Sequence, residues 1–266
     1  MDHSSWGAFE IILSVFSVVA LALYWTAAYR LRLSGHRWNL WRTISFSSGV
    51  VLLLIALHPS VVMYAHQDLR GHMLQHLLIG MFAPLGLVFG APVTLALRAS
   101  SRSVARKLVL FLNFRFFRTI SHPLSAMLLN IGGMYVLYLT PLYAGMLKSA
   151  LLHALVHWHF LVAGCLFSWA IAGPDPAPRR PGKLYRLVIV FVSMATHGFL
   201  AKAMYAYGFP AGTSHTTEQI REAAKIMYYG GDAAELLLVI ALFSTWFTHR
   251  RKERSKVLTL SAHSSP

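Results

Sequence analysis

The sequence predicts an all-α, polytopic membrane protein. We expect a single transmembrane domain over residues 1–266, a bundle of about seven helices with its N-terminus outside and its C-terminus cytoplasmic. Three observations carry this. The 266 residues are 56% hydrophobic and only 12% charged, too little polar surface for a soluble domain of this length. The apolar residues fall into runs long enough to cross a hydrocarbon layer of roughly 30 Å, which takes about 20 helical residues. The basic residues sit in the connections between those runs, where they set orientation.

The runs place helices at about 9–29, 44–64, 72–89, 123–139, 151–171, 184–205 and 232–247. Residues 1–10 carry Asp2 and Glu10 and no Lys or Arg. That is the wrong flank for a signal peptide, so the first run reads as a retained helix. Inside the second run, Pro59 removes one backbone donor and should bend the helix near its outer end. Gly90-Ala91-Pro92 should break or kink the third. Residues 98–121 mix Arg and Lys with Phe and Leu and read as an amphipathic segment on an anionic leaflet. The proline-rich stretch from Gly173, which includes Arg179 and Arg180, cannot be helical. The outer connection 206–231 has room for a short surface helix at 214–229, capped by Thr216 or Thr217.

With this alternation, nineteen of the 24 Lys and Arg fall on the inner side. The net charge of +15 therefore speaks for orientation and for contact with membrane lipids, not for nucleic acid. The one cysteine, Cys165, allows neither a disulfide within the chain nor a Cys-x-x-Cys metal pair.

Chemistry concentrates in the 14 histidines. A helix rises about 1.5 Å per residue. On that scale His72 and His76 share a face at i, i+4 near the outer end of the third helix. His153 and His157 repeat the spacing on the fifth, while His159 points elsewhere. His197 on the sixth and His58 on the second lie at a similar depth, with His66 in the outer connection nearby. One membrane histidine is most often a hydrogen-bonded packing residue, but ionisable residues at membrane depth mark function by default. Two i, i+4 pairs plus two more imidazoles in one layer point to a metal site. Met73 and other methionines near the layer add thioether donors. Imidazole with thioether and no thiolate favours copper, with zinc a further option. Haem, which needs facing histidines, is the competitor. Asp232 and Glu235 read first as helix-opening acids that favour the dipole, and second as partners that orient metal-bound imidazoles.

The string His72-Met-Leu-Gln-His76, Ala83-Pro84-Leu-Gly86 and Phe89-Gly-Ala-Pro92 resembles the CtaG family of cytochrome c oxidase (caa-type) assembly factors. So do Phe160-Leu-Val-Ala-Gly164, Trp169 through Gly173-Pro-Asp-Pro176, the segment ending Ala195-Thr196-His197, and Gly230-Gly-Asp-Ala-Ala-Glu235. The resemblance covers most of the chain from about residue 58 to 246. It implies a multi-pass protein of the bacterial plasma membrane, not an enzyme, that helps assemble a haem–copper oxidase. The implied step is copper delivery to an oxidase subunit. His72, His76, His157 and His197 carry over by motif, with His153 close behind; His58 rests on depth. Two other classes compete. A copper transporter would need a polar path to the inner face, where the helices look apolar. A haem-binding electron carrier would use the paired histidines.

Overall fold

The computed structural model describes residues 6–177 and 180–263, with side chains placed from residue 7 to 244. Among them the regular structure is helical, with no strand. Helix α1 (Trp6–Leu33) follows the first apolar run and ends over Arg30 and Arg32 at Gly35, whose φ of 77° is the left-handed turn glycine adopts freely. Helix α2 (Leu40–Ala56) starts where the Asn39 side chain accepts the Trp41 N–H. It stops before His58-Pro59, because the residue preceding proline is driven out of the helical region. Helix α3 (Pro59–Gln67) then begins with proline at its first position. The expected bend is thus a complete break, with 54° between α2 and α3.

The third run is a chain of short pieces. Helix α4 (Leu69–Leu77) is capped by Asp68, and a π turn (Leu78–Phe82) joins it to α5 (Ala83–Phe89). Gly90 and Ala91, with φ 53° at Ala91, then turn the chain into α6 (Pro92–Ala99). The amphipathic segment forms α7 (Arg102–Leu112) and α8 (Arg115–Ile120), which leave Val104, Leu110, Phe111, Phe114 and Phe116 exposed. Helix α9 (Pro123–Leu139), the short α10 (Leu142–Met146), α11 (Ala150–Ala172), α12 (Lys183–Tyr207) and α13 (Thr217–His263) complete the chain.

Among the described residues, five segments are long and apolar enough to cross a membrane, or six if α2 and α3 count as one bent span; α9, with 17 residues, is shorter. The expectation of about seven thus stands at five or six on these terms. Arg179 lies outside the described residues.

The last helix corrects the sequence reading. No new helix opens at Asp232: α13 runs unbroken from Thr217 through Gly230-Gly231. Glycine inside a helix costs about 1 kcal/mol relative to alanine. Ile220, Ala223, Ala224, Met227, Ala234 and Leu238 line one face of α13 and are all buried in the main core, and that packing outweighs the two glycines. The cap is Thr216: its Oγ1 accepts the Gln219 N–H while Gln219 Oε1 accepts the Thr216 N–H. Asp232 and Glu235 therefore do not serve the helix dipole as opening acids.

The core joins α4, α9, α11, α12 and α13 through Met73, Met134, Tyr138, Phe160, Leu200 and Met227. Helices α2 and α5 cross at Gly49 and Gly86, where a Cβ on either would meet the other's backbone, and Ser45 Oγ donates to Gly86 O at 2.9 Å. Small residues let membrane helices approach this closely. Away from that core, Phe16, Phe191, Phe199 and Leu236 are exposed, as apolar side chains facing hydrocarbon would be.

At the far end from His153 and His197, α11 stops and α12 starts. There the Asp175 carboxylate accepts from Val93 N, Thr94 N and Thr94 Oγ1, and so holds the start of α6. Arg180 donates to the carbonyls of Gly173, Trp169 and Asp175. Burial lowers its pKa to about 10, still far above neutral.

Candidate metal centre

Four helices meet around the histidines. Positions 72 and 76 of α4 and 153 and 157 of α11 lie one turn apart, so each pair shares a face. The folded chain turns both faces inward: His72, His76, His153 and His157 are buried, and His197 of α12 is fully so. The rings of His153 and His157 lie 4.1 Å apart between centroids, and those of His72 and His157 6.0 Å. His66, at the end of α3, brings its Nε2 to 3.2 Å from His153 Nε2. His76 turns its Nε2 to the Met134 thioether sulfur at 3.1 Å.

Hydrogen bonding separates these rings into two groups. His157 sits between two oxygens, with Nδ1 2.9 Å from His153 O and Nε2 3.2 Å from Gln75 Oε1. Gln75 is itself held by its amide donating to Ala56 O. A neutral imidazole can donate to only one of those oxygens. By contrast, His72 Nε2 and both nitrogens of His197 are buried with no hydrogen-bond partner. The His197 ring lies against α13 at Gly231, where a Cβ would overlap it; glycine is what lets the two helices hold the ring there. Four residues along, Glu235 takes a hydrogen from Ser193 Oγ at 2.8 Å and leaves Oε2 without a partner.

Of the other sequence candidates, Met73 is buried in the core, its sulfur 3.9 Å from the Tyr138 hydroxyl. Asp232 is half-buried on α13. His58 stands apart: it is exposed and caps α3, its Nδ1 2.7 Å from Ser60 Oγ. The break at Pro59 explains this, since the depth argument assumed a continuous helix. His159 bonds the Leu129 carbonyl, off the shared face as expected. Among the described residues, no three His, Cys, Asp or Glu side chains are grouped as a metal's ligands would be.

The fold also adds residues that the sequence reading passed over. Glu10 of α1 is buried with Oε1 3.7 Å from His153 Nδ1; a lone acid at the edge of an apolar run was the available signal. Gln75, an amide between two histidines on an apolar helix, was another. Nothing in the sequence separates Met134 from the other nine methionines.

The outer edge of the cluster is covered by polar contacts. Asp68 pairs with Arg70 and accepts from Gln219 Nε2 at 3.1 Å, tying the start of α4 to α13. The Arg70 hydrogen bonds hold the Asp68 carboxyl down at about 2. Tyr143 covers His72 with its ring at 4.9 Å and meets His215 Nε2 at 3.3 Å. Burial lowers the His215 pKa, which keeps that ring neutral at pH 7.

Comparison with known proteins agrees with the resemblance noted from motifs. An uncharacterized protein of Mycobacterium leprae is 32% identical over 203 residues, 74% of this chain and 31% of the relative. An uncharacterized protein of Mycobacterium tuberculosis is 31% identical over 257 residues, 90% of this chain and 39% of the relative. The chain thus spans between three and four tenths of the length of these curated relatives. No solved structure matches. The sequence model described as cytochrome c oxidase caa3 assembly factor matches residues 22–249. That match takes in every helix from α2 to α12 and all the buried histidines, and the chain belongs to this family.

Proposed function

We propose that this protein serves oxidase assembly by binding copper among its buried histidines and passing it to an oxidase subunit, without catalysing a reaction itself. The observation that carries the reading is His197, an imidazole at 0% exposure with neither ring nitrogen bonded. A buried polar atom left unpartnered costs about 1–3 kcal/mol, and an ion is one of the few things that offsets such a cost. The donors fit copper: imidazoles of His72, His76 and His197 with the thioether of Met134 suit a soft ion better than calcium or magnesium. Glu235 and Gln75 would orient the site, and His153, His157 and His66 would form the route between it and the outer edge. The protein would work in the bacterial plasma membrane, facing the side on which the oxidase takes up copper.

Copper loading of purified protein tests this. Copper should stay bound through gel filtration, and His76→Ala should weaken it by at least the roughly 10- to 100-fold seen when a ligand's supporting partner is lost. A strain carrying His76→Ala should keep normal protein levels and lose oxidase activity, with partial recovery on added copper. A Soret band in the purified protein, or full oxidase activity in that strain, overturns the copper mechanism.

A further inference from the structure

A second cavity lies at the other end of the bundle, near the Asp175 and Arg180 contacts. It has a volume of about 420 Å³ and is walled by α8, the start of α9, the end of α11 and the connection before α12. Its polar lining includes Arg115, Arg118, His122, Ser125 and Arg180, and among the described residues no carboxylate lines it. Two features distinguish it from a merely solvated basic rim. Arg180 is fixed by three backbone carbonyls rather than free to move, and its Nε is buried with no partner. The N-terminus of α9, a helix of 17 residues, also lies in the wall, and a helix N-terminus favours an anion.

We propose that this cavity binds the phosphodiester headgroup of an anionic phospholipid. Arg115 and Arg118 supply charge, Arg180 a fixed donor, and Ser125 and His122 hydrogen bonds. A free phosphate would fit the same charges, but the surroundings choose the lipid. Phe116 and Leu124, each next in sequence to a residue of the cavity wall, and Tyr185, whose ring lies 5.6 Å from that of His122, are exposed at 66%, 40% and 39%, an apolar margin against which acyl chains would lie. Basic pockets between membrane helices hold acidic headgroups in this way.

The experiment uses the full chain in detergent, titrated with phosphatidylglycerol or with phosphatidylcholine, and counts retained lipid by native mass spectrometry. Wild type should hold phosphatidylglycerol in preference to phosphatidylcholine. R115Q/R118Q should weaken that binding by about 30-fold, from about fivefold per arginine. R102Q/R106Q, which removes the same charge from α7 outside the cavity, should leave it within about threefold. Equal loss in both variants would mean general charge attraction and would overturn the pocket. Displacement of the lipid by millimolar inorganic phosphate would assign the site to free phosphate and overturn the lipid. Copper loading should be unaffected by R115Q/R118Q, so failure here is distinct from failure of the copper reading.

Discussion

At the arginine end the Asp175 carboxylate receives three hydrogens and Arg180 gives hydrogens to three carbonyls. At the histidine end His197 has no partner and Glu235 and Glu10 each keep one bare oxygen. Both ends bury ionisable groups under the same helices, α11 and α12, and in the same apolar surroundings. The difference is one of degree: the arginine end bonds its carboxylate and leaves only single donor nitrogens over, on Arg180, Arg186 and Trp169, while the histidine end leaves a whole ring and two carboxylate oxygens bare. Where the contacts are mostly complete, the buried charge holds elements together. Where a whole group goes without, the chain bears an unfavourable arrangement that a ligand would relieve. Buried polar groups therefore have to be sorted by what their atoms touch before any is called structural or functional.

Removing Asp175 should have the largest effect on folding. Asp175→Ala strips the acceptor from two backbone N–H groups and one hydroxyl, and thermal unfolding in detergent should register a loss of about 3 kcal/mol or more. Copper affinity of the folded fraction should stay unchanged. An equally large loss of copper would dissolve the distinction between the ends.

His197→Leu should do the reverse. It replaces an unpartnered imidazole with an apolar side chain, so stability should hold or rise slightly. Copper binding should weaken by about 10-fold or more. If stability falls by several kcal/mol with copper binding intact, the ring is a packing residue.

The outer edge offers a pH test. Asp68 has its folded pKa near 2 against an ordinary value of 3.8, through its bonds to Arg70. A depressed carboxylate pKa gives stability above the unfolded value and loses it as pH falls through the folded one. Wild type should therefore exceed Asp68→Asn in unfolding temperature at pH 7, with the gap closing between about pH 4 and 2. A gap that stays constant through that window would place the effect elsewhere.

His58→Ala should be the smallest. It removes one exposed helix cap, worth about 0.5–1 kcal/mol, and should leave copper affinity alone. A copper effect as large as that of His197→Leu would restore His58 to the site.

Much of this was legible in the sequence because the signals are local. Apolar run length and the position of Lys and Arg give the helices, and i, i+4 spacing puts His72 with His76 and His153 with His157. What was not legible depends on tertiary placement. The run at 232–247 looks like a fresh helix because Gly230-Gly231 and Asp232 read as a boundary. Only the packing of Met227 and Ala234 on either side shows why α13 continues. His58 stands exposed at the start of α3 for a related reason, since depth counted along a straight helix fails beyond a 54° break. Glu10, Gln75 and Met134 come to the histidines from separate helices, and no spacing rule relates positions on different helices.

The π turn at Leu78–Phe82 places one residue more in the wall of this helix than the regular repeat would. Everything after it is rotated by about 100° relative to His72 and His76. Deleting one residue there, Gly80 for example, would leave a smooth helix, yet either the histidines or Gly86 would then face the wrong neighbour. The two halves of this segment are therefore locked in phase by an irregularity. A substitution is absorbed where it falls, but a single-residue insertion or deletion between Leu77 and Ala83 would be felt at both the histidine cluster and the α2–α5 crossing.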